Sequence, residues 1–199
     1  MKIMNTAVIA FACGVALWHV GGGLSTTMAS AETTQVSQAS RITVVSQDFA
    51  LSAGNLQAEF DAFAATRPYY GAFAASADGY FGYTHGYNSL QAAIEAAVWY
   101  CSEERGRTCA LYALLEPEVS QASLPVTMSA NTHQGYNEYL KGVPRRAFAV
   151  ADNGAYALTW DWSTRQLAEK EALAICAGYA AGEAAANANF ARCRIIASD

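Results

Sequence analysis

The sequence predicts an α+β fold made of two tandem ββαβ repeats, with antiparallel-rich sheet, helices packed on one face and disulfide staples. Three observations carry the prediction. Displacing the chain against itself by 75 residues brings residues 72–101 onto 147–176 without a gap, matching Phe73 with Phe148, Gly79 with Gly154, Thr84 with Thr159 and Cys101 with Cys176. Each copy reads as a hairpin followed by an alanine-rich helix. After that helix, each copy has a second cysteine opening a short apolar run, at Cys109 and at Cys193. With 53% hydrophobic and 15% charged residues and a formal net charge of -5, the 199-residue chain is neither disordered nor a basic nucleic-acid binder.

The elements follow in chain order. Residues 1–31 read as a signal peptide: Lys2 precedes an apolar stretch over 7–20, three glycines interrupt it, and Ala29-Ser30-Ala31 offers the small residues a signal peptidase reads. The stretch is too short to span a bilayer, so cleavage before Glu32 and no stable membrane insertion afterwards are expected. Residues 32–69 form a lead-in, with an edge strand over 41–46 and a helix over 55–66 whose stripe is Leu56, Phe60, Phe63 and Ala64.

Residues 70–115 form the first repeat: strands over 70–76 and 80–87 around an Ala77-Asp78-Gly79 turn, a helix capped by Asn88 or Ser89, and a strand from Cys109. A connector over 116–145 holds a possible strand at 126–129 and a short helix at 135–140. Residues 146–199 repeat the plan, with strands over 147–151 and 155–162 around Asp152-Asn153-Gly154, a helix from Arg165 capped by Ser163 or Thr164, and a last strand over 193–197. The lead-in and connector helices are expected to cover the repeat pair.

Removal of Cys13 with the signal leaves four cysteines outside the cytosol, where disulfides persist. In each copy one cysteine lies near the helix end and the other starts the strand that must pack beside that helix. Cys101 with Cys109 and Cys176 with Cys193 is therefore the economical pairing. No metal is expected, because the spacings lack the Cys-x-x-Cys pairs of zinc sites.

The order of signal peptide, Ala-Phe-Ala strand, glycine turn, aromatic strand, alanine-rich helix with cysteine and second cysteine resembles the small secreted bacterial proteins catalogued as domain of unknown function 4189. The likeness covers residues 70–115 and 146–198. It implies export, periplasmic or secreted, and a disulfide-held α+β unit, and it implies no reaction.

The chain carries no GxSxG, HExxH, GxxxxGK[ST] or GxGxxG motif and calls for no cofactor. A set of His85, Asp78 and Ser89 could serve a small hydrolase, but the aligned residues Trp160, Asn153 and Thr164 keep only the turn and cap roles. Glu95, Glu103 and Glu104 read as a solvated helix face, and His133 has no ligand partner near it in sequence. The aromatic strands are more informative. Strand alternation puts Phe81, Tyr83, His85 and Tyr87 on one face, and Tyr156, Leu158, Trp160 and Trp162 on its counterpart. That face is either the core under the helices, with small Ala, Gly and Thr as the exterior, or a strip open to a partner. Tyr83, His85, Tyr87, Trp160 and Trp162 are accordingly the candidate ligand-binding residues. The expected function is a non-enzymatic exported module binding a protein or an envelope or extracellular glycan, with no nucleic acid partner. The alternatives are the His85 hydrolase and a purely structural envelope or effector protein.

Overall fold

The computed structural model describes residues 40–46, 51, 54–66, 69–102, 108–118, 127–181 and 191–199. The signal-peptide assignment and the polar lead-in up to residue 39 lie outside them. The elements run β1 (Ser40–Val44), α1 (Leu56–Thr66), β2 (Tyr70–Ala75), β3 (Phe81–Tyr87), α2 (Leu90–Ser102), β4 (Ala110–Pro117), α3 (Ala130–Lys141), β5 (Ala147–Val150), β6 (Tyr156–Thr159), α4 (Arg165–Ala180) and β7 (Arg194–Ser198). Two antiparallel sheets result, ordered β1-β4-β2-β3 and β6-β5-β7. The fold is α+β, and each sheet contains one ββαβ unit of the expected element order.

The correspondence between units extends to single hydrogen bonds. Both hairpin turns close the same way, with Gly79 N–H donating to Ser76 O at 3.1 Å and Gly154 N–H to Ala151 O at 3.2 Å. Both glycines take positive φ, 95° and 91°, which a Cβ would disfavour. Ser89 Oγ accepts from Ala92 N–H at 3.3 Å, and Thr164 Oγ1 from Leu167 N–H at 3.2 Å, so each helix starts on an equivalent cap. Inside each unit a buried threonine of the second strand ties sheet to helix: Thr84 Oγ1 donates to Ala93 O at 2.9 Å and Thr159 Oγ1 to Ala168 O at 3.0 Å. Disulfides join Cys101 to Cys109 and Cys176 to Cys193, as expected, closing sequence separations of 8 and 17 residues. Loop closure on that scale contributes about 2.5 and 3 kcal/mol.

Each sheet is covered on both faces. The repeat helix α2 packs its alanines Ala92, Ala93, Ala96 and Ala97 on Ala72 and Ala74 of β2, while α1 packs Leu56 and Phe63 on Phe73, Ala75, Ala113 and Leu115 across the other face. In the second unit α4 packs Ala168, Ala172 and Ala180 on Ala147, Ala149 and Ala157, and α3 covers Phe148 and Val150 with Tyr139. The two extra helices thus cover the pair, as the sequence indicates.

The assignment of faces needs correcting. The small-residue face is not an exterior; it is the seat of the repeat helix, and alanine against alanine lets helix and sheet backbones approach closely. At Gly82 an added Cβ would lie 2.5 Å from Ala97 O and 2.5 Å from Cys101 N, so only glycine admits α2 there.

Two connector elements also differ from expectation. Residues 127–129 form no strand, because Ser129 caps α3, accepting from Thr132 N–H. That cap starts the helix at Ala130, five residues before the expected 135. Strand β6 ends at Thr159, short of the expected 162, because Asp161 takes a positive φ of 59°.

The two units meet at Asn88, which is 1% exposed. Its backbone N–H donates to Asp152 O at 2.8 Å and its Nδ2 to Ala151 O at 2.9 Å. Its Oδ1 accepts from Ser129 N–H at 2.7 Å. Asn88, one of the two expected caps, is thereby the joint between units, and Ser89 alone caps α2. Close by, a Cβ on Gly154 would fall 2.5 Å from Gly86 O, so the turn of the second unit sits on the end of β3.

Candidate functional site

Strand β3 presents Phe81, Tyr83 and His85 as alternate residues on the face that α1 covers in part. Phe73, paired with Tyr83 across β2 and β3, completes a row of nearly parallel rings. Phe73 and Phe81 stack at 5.9 Å and 2°, Phe73 and Tyr83 at 6.3 Å and 6°, and Phe81 and Tyr83 at 6.3 Å and 5°. Phe63 of α1 reaches Tyr83 at 6.1 Å, and His85 lies 6.1 Å beyond Tyr83 along the strand. The inner rings are core, Phe73 being fully buried, whereas Tyr83 remains 38% exposed and His85 is exposed. The stacked aromatic row therefore ends in two accessible rings, of which Tyr83 is held against Phe63 and Phe73 before any ligand arrives.

Tyr87 does not belong to this row, contrary to strict alternation. The ladder pairs Ala72 with Thr84 but Tyr70 with Tyr87, so β3 holds one extra residue there, and Gly86 takes the positive φ, 73°, of a bulge. The bulge turns Tyr87 to the alanine face, where it is 8% exposed among Ala72, Ala93 and Ala97. Burial, with Tyr100 adding to it, pushes the Tyr87 phenol well above its ordinary range. The second unit does the same: Asp161 is the aligned bulge residue, and Trp162 packs half-buried with Ala147, Ala149 and Cys193 beneath α4. Tyr87 is a core residue of the helix-facing side and Trp162 packs at the margin of that side, so neither belongs to the row of Tyr83 and His85.

Trp160 lies just before that bulge and is 41% exposed. An ideal Cβ on Gly142 would be 3.4 Å from indole Cε3, so the ring rests against the chain leaving α3. That chain is itself held by Arg146, whose guanidinium donates to the carbonyls of Tyr139, Leu140 and Gly142 at 2.8, 3.0 and 2.7 Å. It also binds the Asp199 carboxylate, which raises its pKa. Beside Trp160, Arg145 and Asp161 form an ion pair at 3.7 Å with both side chains mostly exposed. Arg145 carries no sequence signal of a site; it reaches Asp161 only because its carbonyl accepts from Trp162 N–H across the ladder, at 3.3 Å.

The hydrolase set is not assembled. Asp78 Oδ1 accepts from Ser76 Oγ in the hairpin turn at 2.6 Å, and Ser89 Oγ is the α2 cap. Asp78 lies in the turn before β3 and His85 near the far end of that strand, and the stretch from Phe81 to His85 alone spans about 13 Å at the usual strand rise. Among the described residues no three His, Cys, Asp or Glu side chains gather as metal ligands would, and no helix is long and apolar enough to cross a membrane. His133 contacts Asn137 within α3, and Glu95 accepts from Gln91 on the exposed side of α2. Glu103 and Glu104 lie outside the described residues. No family model, no curated protein and no solved structure matches the chain.

Proposed function

We propose that this chain is an exported, non-enzymatic interaction module that binds a protein or an envelope or extracellular glycan through aromatic strand residues. The observation that carries the reading is the pre-stacked row ending in exposed Tyr83 and His85. Side chains locked by core packing lose little entropy on binding, which favours a recognition role for the exposed end of such a row. Export is supported by two disulfides, which persist in oxidising compartments. The matched hydrogen bonds of the two units support a chain built by internal duplication.

The test immobilises the exported protein and compares retention from envelope fractions, secreted fractions and insoluble peptidoglycan. Tyr83→Ala with His85→Ala should lower retention about tenfold, the loss of one good anchor, with an unchanged circular dichroism spectrum. Retention indifferent to both substitutions, or a hydrolytic turnover abolished by His85→Ala alone, overturns the reading.

A further inference from the structure

We infer that the outer edge of β7 is a docking edge for an extended strand of a partner protein, which adds to the second sheet antiparallel to β7 as β1 adds to the first. This edge uses neither Tyr83 nor His85 and stands apart from the aromatic row.

The first unit already contains the arrangement. β4 and β7 are equivalent strands whose ladders match residue for residue. Ala74 pairs with Leu111 and Ala149 with Ile195, Phe73 with Ala113 and Phe148 with Ala197, Ala72 with Leu114 and Ala147 with Ser198. Both ladders skip one residue at the same place, Tyr112 in β4 and Ile196 in β7. The far side of β4 carries β1, whereas the far side of β7 carries no strand among the described residues. The second sheet is thus the first without its outermost strand.

Backbone groups of β7 are turned toward that edge. Arg146 and Asp199 exchange both N–H···O bonds at 3.1 Å, so the neighbouring Ser198 directs its N–H and O away from β5, because antiparallel ladders alternate. Its counterpart Leu114 stands opposite Thr43 of β1. Tyr112 O accepts from Val45 N–H at 2.9 Å, and the matching acceptor in β7 is Ile196 O. The bulge does not block pairing, since β4 has the same bulge and still carries β1. Side chains agree: Ala113 is fully buried, whereas no residue of β7 is buried. Natural sheet edges are commonly blunted by lysine, proline or an inward-pointing charge, and residues 195–198, Ile-Ile-Ala-Ser, contain none of these.

The same template gives the chemistry of the incoming strand. Opposite Ala197 it meets the α3 side, where Ile196 and Ala197 lie half-buried against the cluster of Phe148 and Val150, and an apolar β-branched residue fits, as Val44 does opposite Ala113. Opposite Ser198 it meets the α4 side, beside the Ser198 Oγ–Glu169 bond of 2.6 Å, and a hydroxyl or basic residue fits, as Thr43 does opposite Leu114. Main-chain bonds supply the affinity and the alternating side chains the selectivity.

The probe is an end-blocked peptide with the sequence of residues 40–46, titrated into the isotope-labelled protein and followed by amide NMR. It should bind with Kd below about 1 mM and shift the amides of Ile196 and Ser198, not that of Leu114. N-methylation of the probe at the position of Thr43 removes its donor to Ser198 O and should weaken binding about tenfold. Ser198→Pro removes the opposing N–H and should do the same, whereas Ser198→Ala keeps the backbone and should bind as the unsubstituted protein does. No binding, equal binding of the methylated probe, or shifts at Leu114 instead, which would mean that the probe displaces β1, overturns the proposal. These three outcomes need only the unsubstituted protein, so they decide even where Ser198→Pro fails to fold. Equal losses in Ser198→Ala and Ser198→Pro also overturn it. So does a concentration-dependent dimer in sedimentation that Ser198→Pro dissolves, because the edge then belongs to a second copy of this chain.

Discussion

Gly82 shows how tightly a single position constrains the first unit. It faces the backbone of α2, not a side chain that could rotate away, and its counterpart in the second unit is Ala157, where a methyl group is already accommodated. Gly82→Ala must therefore push α2 off the sheet, and an overpacked site of this kind costs about 1–3 kcal/mol. Gly178 is the control: it lies in α4 with nothing within 4 Å of an added Cβ, so Gly178→Ala should stabilise by about 0.5–1 kcal/mol through helix propensity. Urea unfolding of the two variants should move the midpoint in opposite directions. Equal midpoints would mean that α2 has room the contacts around Gly82 deny.

Between elements, the recurring bond is the threonine hydroxyl that crosses from the second strand to a helix carbonyl. Thr84 is 3% and Thr159 7% exposed, so each hydroxyl replaces a water the site excludes. Thr159→Val should cost about 1 kcal/mol, the net value of one such bond, and Thr84→Val more, because Thr84 Oγ1 also accepts from Ala72 N–H at 3.3 Å, as read from denaturant unfolding. If only one of the two matters, the units share geometry without sharing energetics. This level of organisation was largely legible in the sequence, because Phe, Gly, Thr and Cys recur at a fixed spacing that only a repeated unit requires. What was not legible depends on the third dimension. Alternation predicts Tyr87 and Trp162 beside Tyr83 and Trp160, and a single inserted residue at Gly86 or Asp161 reverses them, because a one-residue slip turns every following side chain over. Alanine-rich strand faces read as exterior, since alanine alone does not distinguish a solvated surface from close helix packing. Tyr83 and His85 held their expected face because they precede the bulge, whereas Arg145 could not be foreseen from any local pattern.

Among the described residues of the whole molecule, the two units are joined by buried polar groups, beside Ala191, which packs against both alanine cores. Asn88 donates from its side chain to Ala151 O and accepts from Ser129 N–H, linking the end of β3, the turn of the second unit and the start of α3 in one buried place. The aligned residue, Ser163, is exposed, so the joint has no twin and the pair is asymmetric where its halves are alike. Replacing Asn88 with alanine leaves a buried carbonyl and a buried N–H without these partners, at about 1–3 kcal/mol for each group. The loss also falls on the coupling between units, not on either unit's own sheet and helices. Calorimetry of the unsubstituted protein should give one cooperative transition, and Asn88→Ala should lower it and broaden or split it as the units unfold at separate temperatures. A variant that unfolds in one sharp transition at the original temperature would place the coupling elsewhere, with Thr127 Oγ1, which donates to Asn88 O at 2.5 Å, the next bond to remove.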